Sequence, residues 1–136
     1  EAPKMESGGG GLVSTAMDYA RFCQMLLNGG ELDGQRVIGR TTLAFMASNH
    51  LAAGVKVESH LLPPGHGFGL GFAVRTMPGR VPYAGSVGEY FWGGMAGTQF
   101  WVDPKEDLWA VMMVQAPGQR DYVRSLFRTL VNASLD

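Results

Sequence analysis

The sequence predicts an α+β fold in which helices flank an antiparallel sheet, built as one segment over residues 1–136. Two observations lead to this prediction. Apolar residues recur at helical spacing near both ends of the chain, and two β-rich runs in the last third flank a turn signal at Asp103-Pro104. With 46% hydrophobic residues among 136, the chain can bury one core.

Helix signals open the chain. Thr15-Ala16-Met17-Asp18 offers a capping box and Gly29-Gly30 a stop, which predicts a helix over about residues 15–28. A second, weaker pattern around Leu43 predicts a helix that ends near His50. The periodicity is then lost from Ala52 to Gly65, where we expect a long surface loop.

Three strands are predicted next, at Phe68–Arg75, Thr98–Val102 and Leu108–Val114. The last two should pair as an antiparallel hairpin, because Pro104 favours a tight turn between them. Both alternating sets of residues in the last strand are apolar, so we expect it to be central, with layers packed on both faces.

An amphipathic helix of about 15 residues should follow Pro117-Gly118 and cover one face of the sheet. Its predicted inward stripe is Val123, Leu126, Phe127, Leu130 and Val131. The opposite face carries Arg124, Arg128 and Asn132.

The charge pattern excludes some function classes. A formal net charge of -1 with scattered charges does not favour nucleic acid or a membrane surface as a partner. His50, His60 and His66 lack the spacing of a metal site, and we expect neither a metal nor an organic cofactor. The single Cys23 should be a small buried hydrophobe. The composition suits a soluble protein of a bacterial-type cytoplasm or periplasm, and the sequence does not choose between them.

The most informative stretch runs from Glu89 to Pro104 and reads Glu-Tyr-Phe-Trp-Gly-Gly-Met-Ala-Gly-Thr-Gln-Phe-Trp-Val-Asp-Pro. Glycines within an otherwise aromatic strand imply that a backbone, a substrate or a turn comes close. With Gly11-Leu12-Val13-Ser14-Thr15-Ala16, the run 26–30 and the run 67–72, this stretch resembles the C-terminal part of the class C β-lactamase and penicillin-binding-protein-like serine hydrolases. The Trp-Gly-Gly triplet is most similar to their esterase branch.

The resemblance implies a place for each residue of this stretch. Trp92-Gly93-Gly94 stands where the family has its third active-site motif, on a sheet-edge strand beside the nucleophile. The backbone N–H of Met95 is then one of two oxyanion-hole donors, and the N–H of the nucleophilic serine is the other. Tyr90 and Glu89 could also reach the substrate, or could instead lie satisfied at the surface.

Two family motifs are not found. No serine is followed by lysine three residues later, and no tyrosine begins Tyr-x-Asn or Tyr-x-Ser. Without the first motif there is no activated nucleophile, so we expect the chain alone to be inactive and both motifs to lie upstream of Glu1. The partner it needs is then the N-terminal part of its own protein.

The neutral side chain of Trp92 bears on the class of substrate. An indole cannot make the charge-assisted hydrogen bond that a lysine makes to a carboxylate, which favours a short uncharged ester over a β-lactam. Arg75 or Arg80 could supply the missing charge instead. The alternative is a noncatalytic binding or structural remnant of the same fold, which could dimerise through an exposed sheet edge.

Overall fold

A computed structural model describes residues 4–5, 7–55 and 62–135 of the chain. Within those ranges the helices are α1 (Ala16–Leu27), α2 (Arg40–Met46) and α3 (Arg120–Asn132). The strands are β1 (Glu31–Leu32), β2 (Gln35–Arg36), β3 (His66–Phe68), β4 (Ala73–Arg75), β5 (Tyr90–Gly93), β6 (Gln99–Asp103) and β7 (Leu108–Met112). The predicted α+β class is confirmed.

The main sheet has five strands in the order β3-β4-β5-β6-β7, and every neighbouring pair is antiparallel. Its two faces bury separate cores. On one face, Tyr90 and Val102 belong to a cluster with Cys23 and Leu26 of α1. On the other, Phe91 and Trp101 pack with Phe127 and Val131 of α3. The structure is therefore a sheet between two helical layers.

Helix α1 begins and ends where the sequence predicts. The Thr15 hydroxyl accepts a hydrogen bond from the Asp18 N–H at 3.1 Å, as a capping residue does. Gly29 and Gly30, at φ of 72° and 98°, end the helix in the left-handed region that glycine adopts without strain. Cys23 is fully buried, and burial raises the pKa of its thiol to about 12.

The predicted strand Phe68–Arg75 is wrong. It is a hairpin in which β3 and β4 pair antiparallel and Phe68 lies opposite Ala73. The Gly69 N–H donates to the Phe72 carbonyl at 2.7 Å, and Gly71 lies at a φ of 96°. The apolar run hid this reversal, because glycine allows a turn without any polar residue.

The predicted central position of the last strand is also wrong, although the predicted pairing of β6 with β7 is confirmed. Among the described strands β7 lies at the edge of the sheet, and β6, whose five residues are all buried, lies inside it. Both faces of β7 are apolar because each is covered by a helical layer. Two-sided burial therefore does not require an interior strand.

The predicted inward stripe of α3 is wrong in two of its five members. Leu126 and Leu130 are exposed, whereas Arg128 is only 1% exposed and Arg124 faces the sheet. The helix is rotated because each arginine finds acceptors or aromatic faces beneath it, which offsets the cost of burying the charge.

The second helix ends at Met46, before the predicted boundary at His50. Part of the predicted loop, residues 56–61 with His60, lies outside the described residues. Across the described residues, no helix combines the length and the apolar character that crossing a bilayer requires.

Candidate active site

The candidate site is the end of β5 and the turn that follows it. Gly93 pairs with Gln99 of β6, and the Gly94 N–H donates to the Thr98 carbonyl at 2.9 Å. The chain then reverses, and the Gly97 N–H donates to the Gly94 carbonyl at 3.1 Å. Met95 is therefore the second residue of a four-residue turn between two paired strands.

Met95 presents a backbone donor that the rest of the described chain does not use. Its residue is 77% exposed, and its N–H finds no acceptor among the described residues. The Arg120 side chain approaches the same residue, with Nη1 3.0 Å from the Met95 sulfur. A backbone N–H without a protein acceptor can stabilise a developing negative charge.

Trp92 is half-exposed next to this turn. Its ring stands edge-on to Phe68 of β3, with ring centroids 5.1 Å apart and planes at 77°. This is a favourable aromatic geometry, and it holds the indole in one orientation. Trp92, three residues before Met95 in the chain, therefore presents a partly exposed aromatic surface.

The two glycines between them are required by close approach. A Cβ on Gly93 would lie 2.5 Å from Arg124 Nη2 and 3.1 Å from the Thr98 carbonyl oxygen, and one on Gly94 would collide with the Thr98 hydroxyl. The sequence predicted such an approach. The approaching groups are a side chain and a turn of the same chain.

Arg124 reaches this turn from α3. Its guanidinium donates to three carbonyls, with Nε 3.3 Å from the Gly97 oxygen, Nη2 2.9 Å from the Thr98 oxygen and a further short bond from Nη2 to the Gly94 oxygen. Burial against the turn lowers the pKa of Arg124 below its ordinary value. The turn that carries Met95 is thus fastened to α3 by one side chain.

Tyr90 lies elsewhere. Its side chain is 3% exposed, and its hydroxyl donates to the Leu26 carbonyl of α1 at 3.4 Å. Burial raises the pKa of the phenol well above its usual range. The structure thus brings Trp92, Gly93, Gly94 and Met95 together and leaves the Tyr90 side chain in the core, away from the exposed surface of Met95.

Glu89 and Arg75 are buried as well, at 1% and 2% exposure. Glu89 Oε1 accepts from Arg75 Nε at 3.0 Å and from Arg128 Nη1 at 2.8 Å. The Arg128 guanidinium also stacks 4.6 Å from the ring centres of both Phe91 and Trp101. This Arg75–Glu89–Arg128 cluster corrects two expectations, because Glu89 is not at the surface and Arg75 cannot reach a substrate.

Arg80, the other cation considered for substrate binding, is exposed beside Gly65. Gly65 immediately precedes β3, so this is the end of the strand away from Phe68 and Trp92. The cation that contacts the Met95 side chain is Arg120, which the sequence did not single out.

Sequence reasoning also missed Arg124 and Arg128. Both lay on what the apolar stripe indicated to be the solvent face of α3. Their spacing of four residues put them on one side of the helix, which was the available signal. That side faces inward only because carbonyls and Glu89 meet it, and a helical pattern does not reveal those partners.

Comparison with known proteins identifies the family. The model of the Beta-lactamase family matches residues 1–133. This chain belongs to the Beta-lactamase family. The resemblance stated from the Trp-Gly-Gly stretch is therefore confirmed, as is the β-lactamase/transpeptidase-like fold.

Two curated relatives from Mycobacterium tuberculosis, named Protein Rv1367c and Uncharacterized protein MT1414, are each 38% identical over 119 residues. The match covers 83% of this Beta-lactamase-family chain and 30% of each relative. The chain thus spans about a third of the length of the curated relatives it matches.

Solved structures of the same fold include one described as a hydrolase and one described as a β-lactamase. EstCE1, described as a hydrolase with promiscuous acyltransferase activity, matches with a TM-score of 0.77 and 25% identity over 100% of this chain and 33% of that chain. A β-lactamase from Mycobacterium bovis, Mb2281c, matches with a TM-score of 0.56 and 25% identity over 85% of this chain and 45% of that one. The Beta-lactamase-family chain is thus related to hydrolases of both kinds.

Proposed function

We propose that this chain is the C-terminal part of a serine acyl hydrolase that acts on small uncharged esters. In this proposal the Met95 N–H is an oxyanion-hole donor and Trp92 forms the wall against which the acyl group lies. The observation that carries it is the Met95 N–H, which belongs to an exposed residue and has no acceptor in the described chain, although β5 and β6 on either side of it are paired.

The chemistry needs a nucleophile from another part of the protein. A serine oxygen, relieved of its proton by a lysine amine, attacks the ester carbonyl carbon, and the carbonyl oxygen becomes an oxyanion. The Met95 N–H stabilises that charge until the alkoxide leaves with a proton. Water then releases the acid from the acyl-serine. One such donor typically contributes a factor of ~10² to 10³ in rate.

The geometry around Trp92 supports an ester substrate. The indole is held against Phe68 at 5.1 Å and offers an apolar face beside Met95. A neutral acyl chain gains by leaving water at such a wall, whereas a carboxylate finds no charge-assisted partner in an indole. The similarity to EstCE1, described as a hydrolase with promiscuous acyltransferase activity, supports acyl transfer as the class of reaction.

One observation favours a second candidate, hydrolysis of a β-lactam or another carboxylate-bearing amide. Arg120 Nη1 lies 3.0 Å from the Met95 sulfur and could receive a carboxylate next to the oxyanion site. Its ionic contact to Asp121, at 3.7 Å, is loose, and the Asp121 side chain is 88% exposed. A substrate anion could displace such a partner at little cost.

The test is to express the chain together with the coding sequence that precedes Glu1 and to assay it with p-nitrophenyl acetate, p-nitrophenyl butyrate and nitrocefin. We expect ester turnover that requires the serine of a Ser-x-x-Lys motif, and none from residues 1–136 alone. Turnover of nitrocefin without ester turnover would favour the second candidate. A start codon at Glu1, or turnover by residues 1–136 alone, would contradict the proposal.

A variant of Trp92 tests the substrate wall. Trp92→Ala should raise KM for p-nitrophenyl butyrate about tenfold, because losing part of an apolar contact costs about 1.4 kcal/mol, while KM for the acetate changes less. Phe45→Ala, which removes a 60% exposed ring on α2, is the matched control and should change neither constant. Equal KM values for wild type and Trp92→Ala with both esters would show that Trp92 does not contact the substrate.

A further inference from the structure

We propose that Arg124 is a positioning residue for the oxyanion hole, which it orients through the Gly94–Met95 peptide bond. This inference rests on the proposed function, since it holds that Arg124 orients the Met95 N–H, the proposed oxyanion-hole donor. Neither the family match nor the resemblance gives this arginine a role.

The plane of the Gly94–Met95 peptide bond sets the direction of the Met95 N–H. The Gly94 carbonyl and the Met95 N–H belong to one peptide unit, which is planar and trans, so the two bonds point in opposite directions. Arg124 Nη2 and the Gly97 N–H both donate to the Gly94 oxygen. With the carbonyl held toward α3, the Met95 N–H must point away from α3, to the side on which it meets no described acceptor.

Charge adds to orientation. A guanidinium at the carbonyl end of a peptide unit stabilises the polarised form of the amide, in which the oxygen is more negative and the N–H is a stronger donor. The effect is larger because Arg124 is partly buried against the turn and its field is less screened than in water. Charge-assisted hydrogen bonds are roughly twice as strong as neutral ones.

The rest of the structure holds Arg124 in place. Gly93 leaves room for the guanidinium, since a Cβ there would lie 2.8 Å from Arg124 Cζ. One helical turn later, Arg128 is bound to Glu89 at 2.8 Å and fixes the rotation of α3. The direction of the Met95 N–H is thus determined by α3, the helix that covers one face of the sheet.

If Arg124 only stabilised the fold, its replacement would also weaken the turn. The test therefore separates the orientation of the Met95 N–H from the stability of the protein. The NMR order parameter of the Met95 N–H is measured in the complete protein labelled with ¹⁵N-methionine. The Met95 signal is identified as the one that is missing from the spectrum of Met95→Leu. We expect about 0.85 in the wild type and below about 0.6 in Arg124→Met, which are the values of rigid and flexible backbone. Arg21→Met, which removes an exposed arginine on α1, should leave it unchanged.

Kinetics give the second readout. Arg124→Met should lower kcat for p-nitrophenyl acetate by ~10- to 100-fold with KM changed less than about threefold, since the donor acts on the transition state. Arg124→Lys, which keeps the charge but not the fork of donors, should recover part of the loss. Gly93→Ala should cause the same loss by displacing the guanidinium, and the double variant should be no worse than either single variant.

An unchanged Met95 order parameter in Arg124→Met would overturn the inference, whatever the activity. So would a loss confined to KM or to the melting temperature in an active protein. If the wild type hydrolyses no ester while the Met95 N–H still loses order in Arg124→Met, the proposed function fails and the positioning of this amide by Arg124 stands.

Discussion

At the scale of single residues, environment decides what each polar group does. His66 is the clearest case. Its Nδ1 lies 3.1 Å from the Pro64 carbonyl and 3.2 Å from that of Pro63, so this nitrogen carries the proton and donates. Its Nε2 is buried without a partner among the described residues. Burial lowers the pKa of His66 below its usual value, which outweighs the carbonyl contacts that act to raise it.

This shift predicts a pH dependence of stability. Because the folded pKa is below the unfolded value of about 6.5, the unfolded state binds more protons on acidification, and the stabilisation is present above pH ~6.5 and lost as the pH falls toward the folded pKa. His66→Gln, which does not titrate, should lose less free energy of unfolding between pH 7 and pH 5, as measured in urea. Parallel curves for wild type and variant would show that His66 is not the group responsible.

At the scale of elements, the buried Arg75–Glu89–Arg128 cluster joins β4, the residue that precedes β5, and α3. Two cations share one carboxylate oxygen, so the members of the cluster are not equivalent. The cluster also determines which face of α3 meets the sheet. A helix that buried Leu126 and Leu130 instead would satisfy the apolar pattern but would turn Arg128 away from Glu89.

Removing different members should therefore have unequal effects. Glu89→Ala leaves two buried cations uncompensated and should cost about 3 to 5 kcal/mol of unfolding free energy. Arg128→Met should cost less, because Arg75 and Glu89 remain as a matched pair. Urea unfolding of the complete protein measures both. A larger loss for Arg128→Met than for Glu89→Ala would mean that the aromatic contacts of Arg128, not the ion pairs, hold α3.

At the scale of the whole molecule, the described sheet ends at β3 on one side and β7 on the other. Edge strands present unpaired backbone donors and acceptors that seek partners. We predict that residues 1–136, produced alone, self-associate through the β7 edge in sedimentation between micromolar and millimolar concentration. Met113→Lys, at a 49% exposed position next to β7, should weaken this association, because a charged side chain at an edge strand disfavours pairing with another strand. A wild-type chain that stays monomeric throughout would contradict the prediction.

Some features of this protein follow from local chemistry and were predictable from sequence. The ends of α1 depend on a capping threonine and two glycines that act within a few residues, and the β6–β7 hairpin depends on its own turn. The Trp-Gly-Gly stretch, together with the runs 11–16, 26–30 and 67–72 in the same order along the chain, was enough for the family, because the ordered set is specific. It also predicted a close approach at Gly93 and Gly94, which the Arg124 guanidinium and Thr98 provide.

Other features were decided only by tertiary structure. The side of α3 that is buried depends on Glu89, which is 39 residues away from Arg128 in the chain. Tyr90 and Trp92 are two residues apart in one strand, yet α1 covers only the first of them, and this leaves Trp92 half-exposed against Phe68. Local sequence determines which elements form, because caps, turns and periodicity act over a few residues. The partners of a buried charge come from distant segments, so they are fixed only when the chain has folded.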